Sequence, residues 1–199
     1  MVNLAVLGDS IAWGQGAARE PERLAPRLAA GLGVHGFDVD VRVFAVPGAR
    51  SSSLAGQVTA ALPWHPDLVV IVIGANDLIR FEATESAVQA LAAAVRLLRT
   101  AGAQVVVAPA PDLSVVRYVP VMFRDVVRIA GDQFRARQVE VVLAEGGLVA
   151  DADQRASRAF AADPSLFSAD LFHPSSAGYA VIADCLLPAV LDAAREIGS

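Results

Sequence analysis

A serine hydroxyl becomes a nucleophile only with a base beside it and a further group to orient that base. One serine of this chain sits where such partners would matter: Ser10, in VLGDSIAWGQG, where an apolar run stops at Gly8 and Gly14 and Gly16 follow. Turns use Gly, Asp and Ser for backbone reasons alone, so the partners decide. The chain has three histidines. His35, in GLGVHGFD, and His65, in PWHPD, fall ahead of apolar runs. His173, in SADLFHPSSAGY, follows Asp170 by three residues and precedes Pro174. Proline biases His173 toward an extended backbone, and one turn can hold both side chains. Asp170 on one imidazole nitrogen leaves the other free to take the Ser10 proton. The oxyanion of an acyl-transfer intermediate needs preorganised donors. Three candidates stand out: the Ser10 backbone N–H, the backbone at Gly48, where the missing side chain permits close approach, and the Asn76 amide. Asp77, beside Asn76, reads as a turn residue that satisfies backbone groups.

Elements must carry these residues to one place. Short β-branched runs at residues 3–7, 39–46, 68–73, 104–108 and 139–143 alternate with helical patterns at 19–32, 51–62, 86–100 and 121–138, and a last one from Ser176. The stretch ESAVQALAAAVRLLRTAG has apolar residues at helical spacing and Gly102 as a stop. The run LVVIVI is apolar throughout, as expected of a strand covered on both faces. Strands alternating with helices predict an α/β fold with a parallel, doubly wound sheet of about five strands. Residues 109–120 and 146–174 read as irregular. Ligands of such sheets bind beyond the carboxyl ends of the strands. Gly8-Asp9-Ser10, Pro47-Gly48-Ala49-Arg50 and Gly74-Ala75-Asn76-Asp77 follow the first three strands and share that edge, whereas His35 and His65 face the opposite one.

The 199 residues predict a single domain over 1–199. Hydrophobic residues make up 55% and charged residues 19%. The run LVVIVIGA is far short of the roughly 20 residues a membrane span needs. The C-terminal run AGYAVIADCLLPAVLDAA is interrupted by Asp184, Pro188 and Asp192, so no span is expected. No basic region precedes the first apolar stretch, which predicts no secretory leader and a cytoplasmic setting. A net charge of -5 argues against a nucleic-acid surface. All 16 basic residues are arginine, which excludes Schiff-base lysines, Walker-type phosphate lysines and lysine bases. The single cysteine, Cys185, reads as a buried small hydrophobe. No cofactor and no metal are expected. Trp13, Arg50, Phe81, Tyr118, Phe123, Phe167 and Phe172 are candidate pocket walls, although aromatics more often fill cores.

Assembled in order, VLGDSIAWG, AVPGARS, VIGANDL and DLFHPSSAGY resemble the motifs of the SGNH (GDSL-type) hydrolase family over nearly the whole chain. The resemblance implies a single-domain, flavodoxin-like three-layer sandwich. It implies a serine esterase acting on a small-molecule carboxylic ester, with Ser10, Asp170 and His173 as the triad. Ser10, Gly48 and Asn76 would form its oxyanion hole. Two positions depart from the family pattern: Ile11 stands for a leucine, and Phe44 and Ala45 stand where an asparagine often precedes the glycine. An acyltransferase would use the same triad. A non-catalytic flavodoxin-like binding domain would explain the fold but leave the Asp170/His173 pairing as coincidence. The G-x-S-x-G elbow of α/β-hydrolases needs several strands upstream of its serine, and only nine residues precede Ser10. A receiver-type domain would want a lysine near its acidic site. A metal-dependent phosphoesterase would need more His and Asp at ligand spacing.

Overall fold

The computed structural model describes residues 1–197. Five strands form one fully parallel sheet: β1 (Val2–Gly8), β2 (Val39–Val43), β3 (Leu68–Val72), β4 (Gln104–Ala108) and β5 (Leu148–Val149), in the order β2-β1-β3-β4-β5. The helices are α1 (Ser10–Trp13), α2 (Leu24–Val34), α3 (Leu54–Ala61), α4 (Ala75–Ile79), α5 (Thr84–Thr100), α6 (Arg124–Ala144), α7 (Arg155–Ala162) and α8 (Ser176–Arg195). This is the expected doubly wound α/β fold.

Side chains of a strand point alternately to opposite faces, and both faces here are covered. Leu4, Val6, Leu68, Val70, Val72 and Val106 join one core with Leu24 and Leu28 of α2 and Tyr179 and Leu186 of α8. Their neighbours Ala5, Leu7, Val69, Ile71, Val105 and Val107 join a second core with Val58 of α3 and Leu91 and Val95 of α5. That is why β1 after Asn3, β3, and β4 after Gln104 read as unbroken apolar runs. Each fully buried Leu or Val side chain contributes roughly 1.5–3 kcal/mol, which fixes the strand ends that carry the site.

Four expectations are corrected. Residues 139–143 are not a strand: α6 continues to Ala144, and the fifth strand is Leu148–Val149. The buried positions of α6 are Gly131, Phe134, Arg135, Gln138 and Val142, a helical spacing, and two of the five are polar. The second strand ends at Val43, and α2 begins at Leu24, after a 3-10 turn over Glu20–Glu22. Finally, among the described residues α8 is long and apolar enough to cross a bilayer. The helix continues through Asp184, Pro188 and Asp192, and all three lie on its exposed face, four residues apart. Its other face, with Tyr179, Leu186 and Val190, is buried in the first core, so α8 packs as a core helix. Cys185 is buried on that face, as expected.

Candidate active site

The strand order reverses between β1 and β3, because β2 lies on one side of β1 and β3 on the other. Such a switch point opens a crevice at the carboxyl ends of the strands. Ser10 follows β1 and Asn76 follows β3, so both stand at this crevice. Asp9 is the N-cap of α1 and accepts the Ile11 N–H at 2.9 Å. It is buried, and that burial, partly offset by the Ile11 hydrogen bond and reinforced by the Asp77 charge, pushes its pKa up to about 7.

From the far end of the chain comes a tight loop between Phe167 and Pro174, which are bridged antiparallel. The Ser168 N–H donates to the His173 carbonyl at 2.8 Å, and Leu171 takes a left-handed conformation (φ 58°) that turns the chain back. Inside this loop Asp170 Oδ1 accepts from the Ser168 hydroxyl (2.8 Å) and the Phe172 and His173 N–H groups (2.9 and 2.8 Å). Asp170 Oδ2 meets His173 Nδ1 at 2.6 Å, and His173 Nε2 meets Ser10 Oγ at 3.1 Å. Partial burial raises the Asp170 pKa, but the four hydrogen bonds outweigh it and hold the carboxyl well below the usual carboxylate range. The Phe172 ring packs edge-on against the imidazole, with centroids 4.8 Å apart. The sequence-predicted Ser10, His173 and Asp170 are therefore joined in one hydrogen-bonded line.

Asn76 lines the same cavity as Ser10 and His173. Its Nδ2 donates to the Ala49 carbonyl at 3.0 Å, and a primary amide keeps a second N–H. Gly48 does not line the cavity; it lies in the exposed turn after β2. The Ala49 N–H closes that turn onto the Val46 carbonyl, with Pro47 and then Gly48 (φ 79°) at its centre, as a type II turn requires. The Gly48 N–H has no acceptor among the described residues. Asp77 accepts the Ser51 N–H and hydroxyl at 3.0–3.1 Å, the backbone role expected of it, and so ties the turns after β2 and β3 together.

Of the candidate pocket aromatics, Phe167 and Phe172 line the cavity. Phe81 and Tyr118 line a separate groove. Trp13 lies under the Arg23 guanidinium, 4.1 Å from it, Phe123 is half-exposed, and Arg50 pairs with Glu82. His35 bonds its own helix at Gly31, and His65 sits ahead of β3, both at the opposite edge. Among the described residues no group of three or more His, Cys, Asp or Glu could hold a metal ion.

Three contributors escaped the sequence reading. Gln57 of α3 is buried; its Oε1 accepts the Gly8 N–H at 2.7 Å and its Nε2 donates to the Gly8 carbonyl at 2.8 Å. Gln138 of α6 clamps the neighbouring strand ends alike, through the Ala110 N–H (2.9 Å) and the Ile73 carbonyl (3.2 Å). The third, Arg135, lines the cavity itself. Polar residues on a helix carry no sequence sign that they face inward.

The GDSL-like esterase Rv1075c of Mycobacterium tuberculosis is 38% identical over 98% of this chain, which spans 63% of that protein's length. The crystal structure of TesA superposes with a TM-score of 0.73 at 24% identity, covering 94% of this chain and 97% of that one. Axe2, an acetylxylan esterase from Geobacillus stearothermophilus, gives a TM-score of 0.74 at 19% identity over 95% of this chain and 94% of its own. These two likenesses show the fold. The family match runs through residues 6–181, from within β1 to within α8, and by it the chain belongs to the GDSL-like lipase/acylhydrolase family.

Proposed function

We propose that the chain hydrolyses carboxylic esters through an acyl-enzyme on Ser10. The observation that carries this is the line from Ser10 Oγ through His173 to Asp170, at 3.1 and 2.6 Å. The Ser10 oxygen attacks the ester carbonyl and its proton passes to His173 Nε2. Asp170, ionised, accepts a hydrogen bond from Nδ1–H and so fixes the tautomer that leaves Nε2 free. The negative oxygen of the tetrahedral intermediate is stabilised by the Ser10 N–H and the second N–H of Asn76, and by the unpartnered N–H of Gly48, which lies outside the cavity in the turn that Asn76 holds at Ala49. As the C–O bond breaks, the departing alkoxide takes the proton from Nε2. A water then attacks the acyl-enzyme, gives its proton to Nε2, and the carboxylic acid leaves as Ser10 is reprotonated. Esterase names among the relatives support the same reading.

Ser10→Ala is expected to stay folded and to lose on the order of 10³-fold or more in kcat on p-nitrophenyl esters, since triad members act as a unit. An organophosphonate should label the unsubstituted protein at Ser10 and leave the variant unlabelled. Equal hydrolysis by both proteins would end this reading.

A further inference from the structure

The cavity beside Ser10 has a volume of about 100 Å³ and walls that are mostly apolar, among them Val72, Leu113 and Phe160. Arg135 breaks that pattern. It lines the cavity, only 8% of it is exposed, and its Nε and Nη2 have no hydrogen-bond partner among the described residues. A buried charged donor without a partner is costly, and native structures retain few of them. The usual remedy is at hand but not taken. Asp112, Asp132 and Asp151 are near enough for their charges to act on the guanidinium, yet none forms an ion pair with it. Asp112 instead accepts the Ser114 N–H, Asp151 accepts the Arg155 and Ala156 N–H groups, and Asp132 accepts from Gln154 and pairs with Arg128. Those carboxylates temper the cost of burying the cation and leave its hydrogen bonds unmade.

The unmade bonds have a specific shape. Nε–H and one N–H of Nη2 point in parallel along one edge of the guanidinium plane, the fork that a carboxylate fills with its two oxygens. On a scale where one water needs roughly 15 Å³, the cavity has room for about seven heavy atoms. We propose that the acyl group this cavity accepts is short and ends in a carboxylate, a half-ester of a dicarboxylic acid, with that carboxylate in the Arg135 fork, which is sealed from the cavity in this structure and turns into it to receive the anion, while the ester carbonyl stands at Ser10. Rival chemistries fit less well. A plain alkyl chain leaves the fork empty, and a single hydroxyl or carbonyl oxygen reaches only part of it. The inference rests on the ester-hydrolase reading but makes a separate claim about substrate.

The test compares phenyl hydrogen glutarate and phenyl hydrogen adipate with phenyl pentanoate and phenyl hexanoate, equal in chain length but uncharged, and with phenyl methyl glutarate, in which the carboxylate is masked. Rates with Ser10→Ala are subtracted as background. The half-esters are expected to exceed their uncharged counterparts at least tenfold in kcat/KM, and the masked diester to lose that advantage. Arg135→Met should lower the half-ester to alkyl-ester ratio by roughly 10- to 100-fold, and free glutarate should inhibit the unsubstituted protein where pentanoate does not. Arg135→Gln and the inhibition measurement serve if Arg135→Met does not fold. Hydrolysis of alkyl esters with no half-ester preference, or a masked diester as good as the half-ester, overturns the assignment and leaves the esterase reading standing. Hydrolysis of no ester at all overturns the esterase reading itself.

Discussion

Asp170 holds its partners by dividing its two oxygens. Oδ1 collects the Ser168 hydroxyl and two backbone N–H groups, and Oδ2 faces His173 Nδ1 alone. This division makes Asp170→Asn an informative change. The asparagine carbonyl oxygen can keep the backbone donors, which turns its NH2 toward Nδ1. Nδ1 must then be bare, the imidazole proton moves to Nε2, and the base toward Ser10 is blocked. Asp170→Asn is expected to lower kcat by on the order of 10³–10⁴-fold, at least as much as Asp170→Ala, which leaves either tautomer open. Steady-state kinetics of both variants, with near-ultraviolet circular dichroism to verify folding, decide it; a milder loss in Asp170→Asn contradicts the tautomer argument. The Asp170–His173 pairing was legible in sequence because three residues and a following proline confine it to one turn. Arg135 was not, since an arginine on a helix reads the same whether it meets water or lines a cavity.

At the scale of elements, Ser10 is placed by the way β1 ends. Gly8 has φ +131°, and a Cβ built there would stand 1.9 Å from the Val72 carbonyl oxygen, to which the Asp9 N–H donates at 3.1 Å. Gln57 grips the other polar groups of Gly8 from α3. Backbone this close tolerates no side chain, so Gly8→Ala must push β1 and β3 apart. It is expected to cost about 3 kcal/mol or more, measured as a lower urea midpoint at unchanged m. A shift under 1 kcal/mol would mean that the strand ends are looser than they look. The glycine was legible as a turn signal; the glutamine was not. The same limit explains the misread strand at 139–143. On α6 the inward positions 135 and 138 are polar, so the helical period is masked and the β-branched residues Val139, Val141 and Val142 read as a strand. The real β5 is two residues long, too short to show a period at all. By contrast β1, β3 and β4 were legible because two covered faces demand continuous apolar runs.

Over the whole molecule, a serine near the start and a histidine 163 residues later must meet. Segment 15–22 docks on the start of α8 to bring this about. The buried Tyr179 donates its hydroxyl proton to the Gln15 carbonyl at 2.8 Å, and Ser176 Oγ accepts the Ala18 N–H at 3.0 Å and donates to Glu22 at 2.6 Å. The charge of Asp9 acts on Tyr179 of this junction, and Asp9 is itself buried and within reach of the charge on Asp77, so global stability should report its ionisation. Its folded pKa, about 7, lies above the ordinary value of 3.8. Folding therefore takes up a proton between those pH values, and stability falls as pH rises through that window. Below pH 4 both states are protonated and Asp9 costs nothing; above pH 7 the full cost of an ionised, buried carboxylate remains, on the order of 4 kcal/mol. Asp9→Asn keeps an oxygen for the Ile11 N–H and removes the charge. The variant should match the unsubstituted protein near pH 4, exceed it by a few kcal/mol at pH 8, and show a flatter profile between. Urea unfolding at pH 4, 5, 6, 7 and 8 measures this. If Asp9→Asn is no more stable at pH 8, or keeps the same slope, the pH response arises elsewhere and Asp9 is ionised in the fold at little cost.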